Sequence, residues 1–271
     1  MSRSADCARS LQHFLDLSLT ANAVSEPLLA FPASKPASDA RGELEARSFD
    51  IAGIRDDGKE RVLRYVRVEA LTSGTCGDCA ELVRLDEVVA KATPLHDCLA
   101  SVVGHGRVFV LGQRGIEEII TRADLEKQPV RLLLFGVISA LEMAMLDLIR
   151  QSFLNGAWEA RLSEERLRKA REVLQERMAR NEEIDLTDCL QICDKVKVLL
   201  ALEGLTAKWG FDSKSEARKF FDRIQRLRDR LAHAQDPASG SSWDKVVSLL
   251  EHAETILDTM IRLLEQRENL R

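Results

Sequence analysis

The spacing of apolar and polar positions changes character once along this chain. Up to residue 126, short apolar runs alternate with turns rich in Gly and Pro. Phe49–Ile54 reads FDIAGI, Arg55-Asp56-Asp57-Gly58 follows, and Val62–Val68 reads VLRYVRV. Two apolar runs around a DG pair predict a β-hairpin. Val108–Leu111, a turn at Gly112–Gly115 and Ile116–Thr121 predict a second one. Between the hairpins, Leu95, Cys98, Leu99 and Val102 recur at helical spacing. The order helix, strand, turn, strand, helix therefore occurs twice. It predicts an internal repeat, with copies over about 20–75 and 80–126.

Lys127-Gln128-Pro129 separates the halves, and Pro129 suits the first turn of a helix. Beyond it the apolar period becomes helical. Val130–Phe153 is apolar nearly all round, as expected of a central bundle helix. Leu162–Met178 is charged and amphipathic, with Glu165 and Lys169 at i,i+4. Asp185–Leu202 reads as one helix, and Asp212 or Ser213 caps the next, with Glu216 placed for a capping box on Ser213. Trp243–Leu264 carries Val246, Leu250, Ala253, Leu257, Met260 and Leu264 on one face. The fold class predicted is α+β, with an α/β module over residues 1–126 and an all-α bundle of about five helices over 127–271.

Charge narrows the partners. A formal net charge of -5 gives no global basic field, so DNA binding is not expected and any anion site must be local. Six cysteines scattered over 271 residues are not a disulfide framework. The pair Cys76 and Cys79 forms a lone CxxC, a weak metal signal, and no metal site is assigned. Zinc held by this pair with His96, Cys98 or His105 is the alternative. Cys189 and Cys193 are expected to face a core. No signal-peptide pattern opens the chain, and the run Leu132–Ala140, interrupted by Gly136 and Ser139, reads as too short to span a bilayer. A cytoplasmic protein without a membrane partner is the expectation.

Two resemblances attach to these patterns. Thr93–Leu125, TPLHDCLASVVGHGRVFVLGQRGIEEIITRADL, resembles a CBS motif, and Ser25–Leu71 resembles a more divergent first copy. Tandem CBS copies normally form one module that binds adenosine-type nucleotides in the clefts between them. The T-x-x-D signature falls on Thr121 and Asp124. A hydroxyl and a carboxylate three apart at a strand-to-helix junction lie on one side of the first turn. There the carboxylate can accept two ribose hydroxyls, while the hydroxyl and free N–H groups hold phosphate. The plainer alternative is a helix cap. Glu118 replaces the usual small glycine. In the first copy the signature positions are Arg67 and Ala70, so its ribose carboxylate is missing.

The second resemblance lies in RLRDRLAHAQ, Arg226–Gln235, which is similar to the R-x4-H signature of HEPN domains. It implies a dimeric, metal-independent endoribonuclease, gated here by an adenine nucleotide and set in bacterial stress or phage defence. Arg228, Asp229 and His233 would be catalytic, with Glu142 as an acidic residue of the leading helix and no catalytic cofactor. A histidine can take and give a proton near neutral pH, and an arginine forks onto phosphate oxygens. Arg223, Arg226 and Arg230 add a local basic strip for RNA. Five residues turn an ideal helix by ~140°, so Arg228 and His233 converge only if the helix ends or distorts before His233. The competing reading is a non-catalytic nucleotide-sensing dimer that recruits a partner through its helices.

Overall fold

The computed structural model describes residues 3–56 and 61–268. The expected turn at Asp57-Gly58 lies outside the described residues. In chain order the elements are α1 (Arg3–Ser18), β1 (Glu26–Pro27), β2 (Ala30–Pro32), α2 (Ala37–Arg47), β3 (Ile51–Arg55) and β4 (Val62–Arg67). They continue with β5 (Glu81–Leu82), β6 (Val88–Ala90), α3 (Leu95–His105), β7 (Arg107–Gly112) and β8 (Gly115–Thr121). The helices α4 (Gln128–Ser152), α5 (Glu164–Met178), α6 (Ile192–Leu199), α7 (Leu205–Lys208), α8 (Lys214–Ala232) and α9 (Trp243–Glu268) complete the chain.

Two compact units result. One is Asp16–Val130; the other joins the residues up to Leu15 to Arg131–Arg271. The first helix thus belongs with the bundle, and the division expected after residue 126 moves to Val130, inside α4. The reason is packing: Leu15 is buried against Gly136 of α4, and Gln12 donates to Asp258 of α9 at 3.2 Å.

Within Asp16–Val130 both expected hairpins are present. β3 pairs antiparallel with β4, and β7 with β8. Each hairpin is preceded by a parallel strand and a crossover helix, β2-α2-β3 and β6-α3-β7. Both helices start after a proline, Pro36 or Pro94, which cannot donate a helical hydrogen bond. Both stop on a left-handed residue, Ser48 at φ 56° and Gly106 at φ 80°. The repeat is therefore written in the punctuation as well as in the strands.

The sheets do not follow the copy boundaries. Their orders are β1-β8-β7-β6 and β2-β3-β4-β5. Each copy lends its outermost strand to the other sheet: Glu26 pairs with Ile119, and Leu82 with Arg64. A second apolar cluster joins the copies, with Val62, Tyr65, Phe109 and Ile116 buried together and the Tyr65 and Phe109 rings 5.3 Å apart. A fully buried Phe109 contributes about 1.5–3 kcal/mol of transfer free energy.

The helical unit contains no strand among its described residues. α4 spans Gln128–Ser152 without a break at Gly136 or Ser139, so the sequence estimate of a short apolar run is corrected. By length and composition α4 could cross a membrane, but 67% of its most apolar window is buried in the protein. The stretch Asp185–Leu202 is also corrected, because it folds as a 3-10 turn (Leu186–Cys189) and then α6. Asp185 accepts from Thr187 N at 2.7 Å while Asp188 accepts from Asp185 N at 2.9 Å, which closes the short turn and leaves Leu190 extended. Cys189 and Cys193 are consequently only half-buried, not core residues. At α8, Ser213 accepts from Glu216 N as expected, but the Glu216 carboxylate accepts from Asp212 N, one residue before the cap.

Gly136 supplies a stability test. A Cβ there would lie 2.7 and 2.8 Å from the Leu15 methyls. Overpacking costs about 1–3 kcal/mol, against about 1 kcal/mol gained in helix propensity. Gly136→Ala is expected to lower the thermal midpoint, and Leu15→Ala in the same chain to recover part of that loss; additive losses would show that the two residues do not meet.

Candidate functional site

Strand exchange creates a cleft. Leu28 and Leu29 follow β1, Phe49–Ile51 come from the α2–β3 junction, and Ile119 with Thr121–Asp124 from the end of β8. The cavity measures about 520 Å³, within the range of small-molecule sites. Its walls are largely apolar, and Glu26, Ser48, Asp50, Thr121, Arg122 and Asp124 supply its polar lining.

Thr121 caps the 3-10 turn Arg122–Glu126. Asp124 is buried, and its Oδ2 accepts from Thr121 N at 2.7 Å and from Thr121 Oγ1 at 2.9 Å. Its Oδ1 pairs with Lys127 Nζ at 2.8 Å, and Lys127 also donates to the Val24 carbonyl at 2.6 Å and to Glu26. The cap and the cleft wall are thus the same residues. A carboxylate offers about four acceptor positions, and three are engaged here. One ribose hydroxyl can be accepted as the structure stands; a second requires Lys127 to let go. Glu118 is neutralised rather than left facing the cleft: it pairs with Lys91 and accepts from Ser25, and both hold its carboxyl below the usual range.

The equivalent position in the other half is filled. Register aligns Ile51 with Arg67 and Arg107 with Thr121, so Arg107 replaces Ile51 and Arg67 replaces Thr121. The Arg107 guanidinium is buried, donates to Tyr65 Oη and pairs with Glu87 Oε1 at 3.0 Å. Arg67 donates to the same hydroxyl at 3.3 Å, and Tyr65 donates to Glu81 at 3.0 Å. This cluster was not legible in advance. Its signal is the single tyrosine of the chain in a strand flanked by arginines.

Cys76 sits in an apolar cluster with Leu44, Ile54 and Leu71, and burial pushes its thiol up; Cys79 donates to Ser73 O. Among the described residues no three His, Cys, Asp or Glu side chains are grouped to hold a metal. Burial pushes the Cys98 thiol up to about 12. A thiolate is the reactive form. Titration of the native protein with a thiol reagent at neutral pH is therefore expected to label exposed Cys7 first and to spare Cys76 and Cys98 until denaturant is added. Rapid labelling of Cys98 would contradict its placement.

In the helical unit, α8 buries Ala217, Phe220, Phe221, Ile224, Leu227 and Leu231. Phe211 and Phe220 flank His252, whose Nε2 lies 2.8 Å from the Trp209 carbonyl, a structural use for this histidine. Arg228 is exposed; its Nε stands 3.7 Å from Glu142 Oε1 and its Nη1 is 3.4 Å from Asp229. Glu142 is also held by buried Lys195 at 3.0 Å. His233 caps α8 and its N–H still bonds the Asp229 carbonyl at 3.1 Å. α8 stops at Ala232, so the helix ends immediately before His233, whose backbone is no longer helical (φ -97°, ψ 16°). Asp229 contacts Arg228 and not His233. Arg223, Arg226 and Arg230 do come together, along one groove with Lys245 of α9. The buried Asp194 of α6 is paired with Arg166 at 2.6 Å.

No protein-family profile matches this chain, and no curated protein does. Among solved structures it is similar to a CBS domain protein from Pyrobaculum aerophilum complexed with AMP, at 16% identity and a TM-score of 0.34, over 39% of this chain and 89% of that one. It is also similar to a CBS-pair protein from Arabidopsis thaliana, at 19% identity and a TM-score of 0.36, over 42% of this chain and 94% of that one. The CBS domains of a transcriptional regulator from Streptococcus pneumoniae match at 14% identity and a TM-score of 0.36, over 41% of this chain and 99% of theirs.

Proposed function

We propose that this chain is a nucleotide-regulated, metal-independent endoribonuclease. Residues 16–130 bind an adenosine-type nucleotide, and the helical unit acts on RNA as a homodimer. The observation that carries the nucleotide half is the cleft of about 520 Å³ bearing Thr121 and Asp124 in its polar lining. Its apolar walls suit a base, Asp124 suits a ribose, and Arg122 with the cap of the 3-10 turn suits phosphate. With Arg107 filling the equivalent position, one nucleotide per module is the expected stoichiometry.

The ribonuclease half rests on Arg228 and His233 at the exposed end of α8. A two-fold dimer would bring two such pairs together into one composite site. The exposed Leu132 and Phe135 of α4 share a helix with Glu142 and offer an apolar face for it. Regulation requires the nucleotide to favour one arrangement over another. Release of Lys127 from Asp124 supplies such a difference, three residues before Val130, where the first unit ends.

The hold of Glu142 and Asp229 on Arg228 favours a second reading, a nucleotide-sensing dimer that recruits a partner and cleaves nothing. Purified full-length protein incubated with labelled RNA in EDTA, with and without AMP, decides between them. Cleavage that survives the chelator and changes with AMP is the expected result. Tight AMP binding without cleavage at any nucleotide concentration would move the assignment to the second reading.

A further inference from the structure

A surface groove on α8 and α9 gathers four cations. Arg223, Arg226, Arg230 and Lys245 line a concavity of about 260 Å³, together with the turn residues Pro237, Gly240 and Ser241. Its floor is apolar, from Leu227, Val246 and Leu249. We infer that this groove is a track for the phosphodiester backbone of single-stranded RNA, with these four cations as its phosphate contacts. The inference rests on the proposal that RNA is the substrate, and it adds Lys245, on a different helix, to the arginines.

Three observations carry it. The first is pairing. Several arginines elsewhere in this unit have carboxylate partners, Arg150 with Asp185 and Asp188, Arg166 with Asp194, Arg171 with Glu159 and Arg177 with Glu182, while Arg131, Arg262 and Arg267 bond to carbonyls or a hydroxyl. None of the four groove cations has a carboxylate within 4.0 Å among the described residues, Asp222 and Asp229 of the same helix included. Like charges gathered in a concavity repel unless an anion joins them, and a chain of net charge -5 has carboxylates to spare.

The second observation is position. Arg226 Nε donates to the Asp222 carbonyl at 3.1 Å and Arg230 Nη1 to the Pro237 carbonyl at 3.2 Å. A guanidinium carries five N–H donors, so each is held by one and keeps the others for a ligand. Arg223 leans over the Phe220 ring at 5.9 Å.

The third is direction. Arg223 to Arg230 spans ~10 Å of helix rise, longer than a single phosphate group, so the row matches a chain of phosphates better than a free ion. At ~100° per residue, His233 lies within about 20° of Arg226 around the helix, on the same stripe. A backbone lying in the groove therefore runs toward His233, whereas Arg228 is on another side.

The test uses the full-length His233→Ala protein as a binding parent, so that cleavage does not confound it, and fluorescein-labelled oligouridine as the probe. The parent is expected to bind with an affinity that falls with salt. Adding Arg226→Gln and Lys245→Gln, both exposed positions, should weaken binding and flatten the dependence of log K on log salt by about 0.7 per cation removed. Arg223→Gln should act in the same way, and Lys169→Gln, an ion-paired cation on α5, should change neither quantity. Unchanged affinity and slope in the groove variants of a protein that cleaves RNA would overturn the groove and leave the ribonuclease standing. Binding that follows the groove without any cleavage by the unsubstituted protein would do the reverse. A parent that binds no oligouridine, or that binds polyglutamate equally well through the same residues, overturns the inference.

Discussion

Replacing His233 with alanine is expected to slow RNA cleavage by about 10²–10⁴-fold, the usual contribution of a general acid or base. The side chain is exposed at the end of α8 and makes no contact on which folding depends, so the loss should come without a fall in thermal stability. Arg228→Ala should produce a loss of similar order, and Arg228→Lys should not restore activity, because an ammonium lacks the planar fork that matches two phosphate oxygens. Glu142→Gln separates positioning from chemistry. It removes the anion between Arg228 and the buried Lys195, leaving a buried ammonium without its partner. Breaking a buried pair in this way costs about 3–5 kcal/mol at full burial, and less here because Glu142 is partly exposed. A lowered thermal midpoint would therefore accompany any loss of activity in that variant. Full cleavage by both the His233→Ala and Arg228→Ala proteins would remove the catalytic assignment.

The second large effect is expected at Asp124. A hydrogen bond to a charged group contributes about 1.5–3 kcal/mol, so loss of the ribose contact should weaken AMP binding by at least ~10-fold. Asp124→Ala also breaks the cap on Thr121, at a further cost of about 1–2 kcal/mol in stability, and leaves Lys127 to Glu26 and the Val24 carbonyl. Asp124→Asn separates the two effects, since its amide oxygen can still accept from Thr121 N. Calorimetric titration with AMP should show this weakening in both variants, and the thermal midpoint should fall further in the alanine one. Undiminished affinity in Asp124→Asn would place the nucleotide elsewhere.

Most of the helical unit was legible because apolar spacing is a local signal. Val130–Phe153 and Trp243–Leu264 were read within a few residues of α4 and α9. The errors arose where partners distant in sequence decide. Nothing in MSRSADCARSLQHFLDLS shows that its helix packs on Gly136 rather than with the strands that follow. Asp185–Leu202 has helical spacing, yet a short-range cap at Asp185 won over it. In the cleft, Thr121 and Asp124 stood out as a spaced pair, but Leu28, Phe49 and Ile51 did not. Leu28 reaches the cleft through the exchange of β1, and Phe49 and Ile51 through the packing of one copy against the other; such long-range partners are invisible in a local pattern. The same holds for Lys245, whose role depends on which side of α9 meets α8.

The exchanged strands also set an order on how this chain is made. Ser25 and Glu118, bonded beside the β1–β8 pair, are 93 residues apart. During synthesis β1 leaves the ribosome early and has no partner until β8 follows, while the first hairpin waits for β5 to complete its sheet. Neither copy can be finished alone, so the two must fold as one late, cooperative event, and pairings of such long range are intrinsically slow. Until then the waiting edges are open templates for other strands. A chain stopped between the copies would carry its hairpin to completion with the wrong neighbour, a second stalled copy of itself, before it could meet the right one.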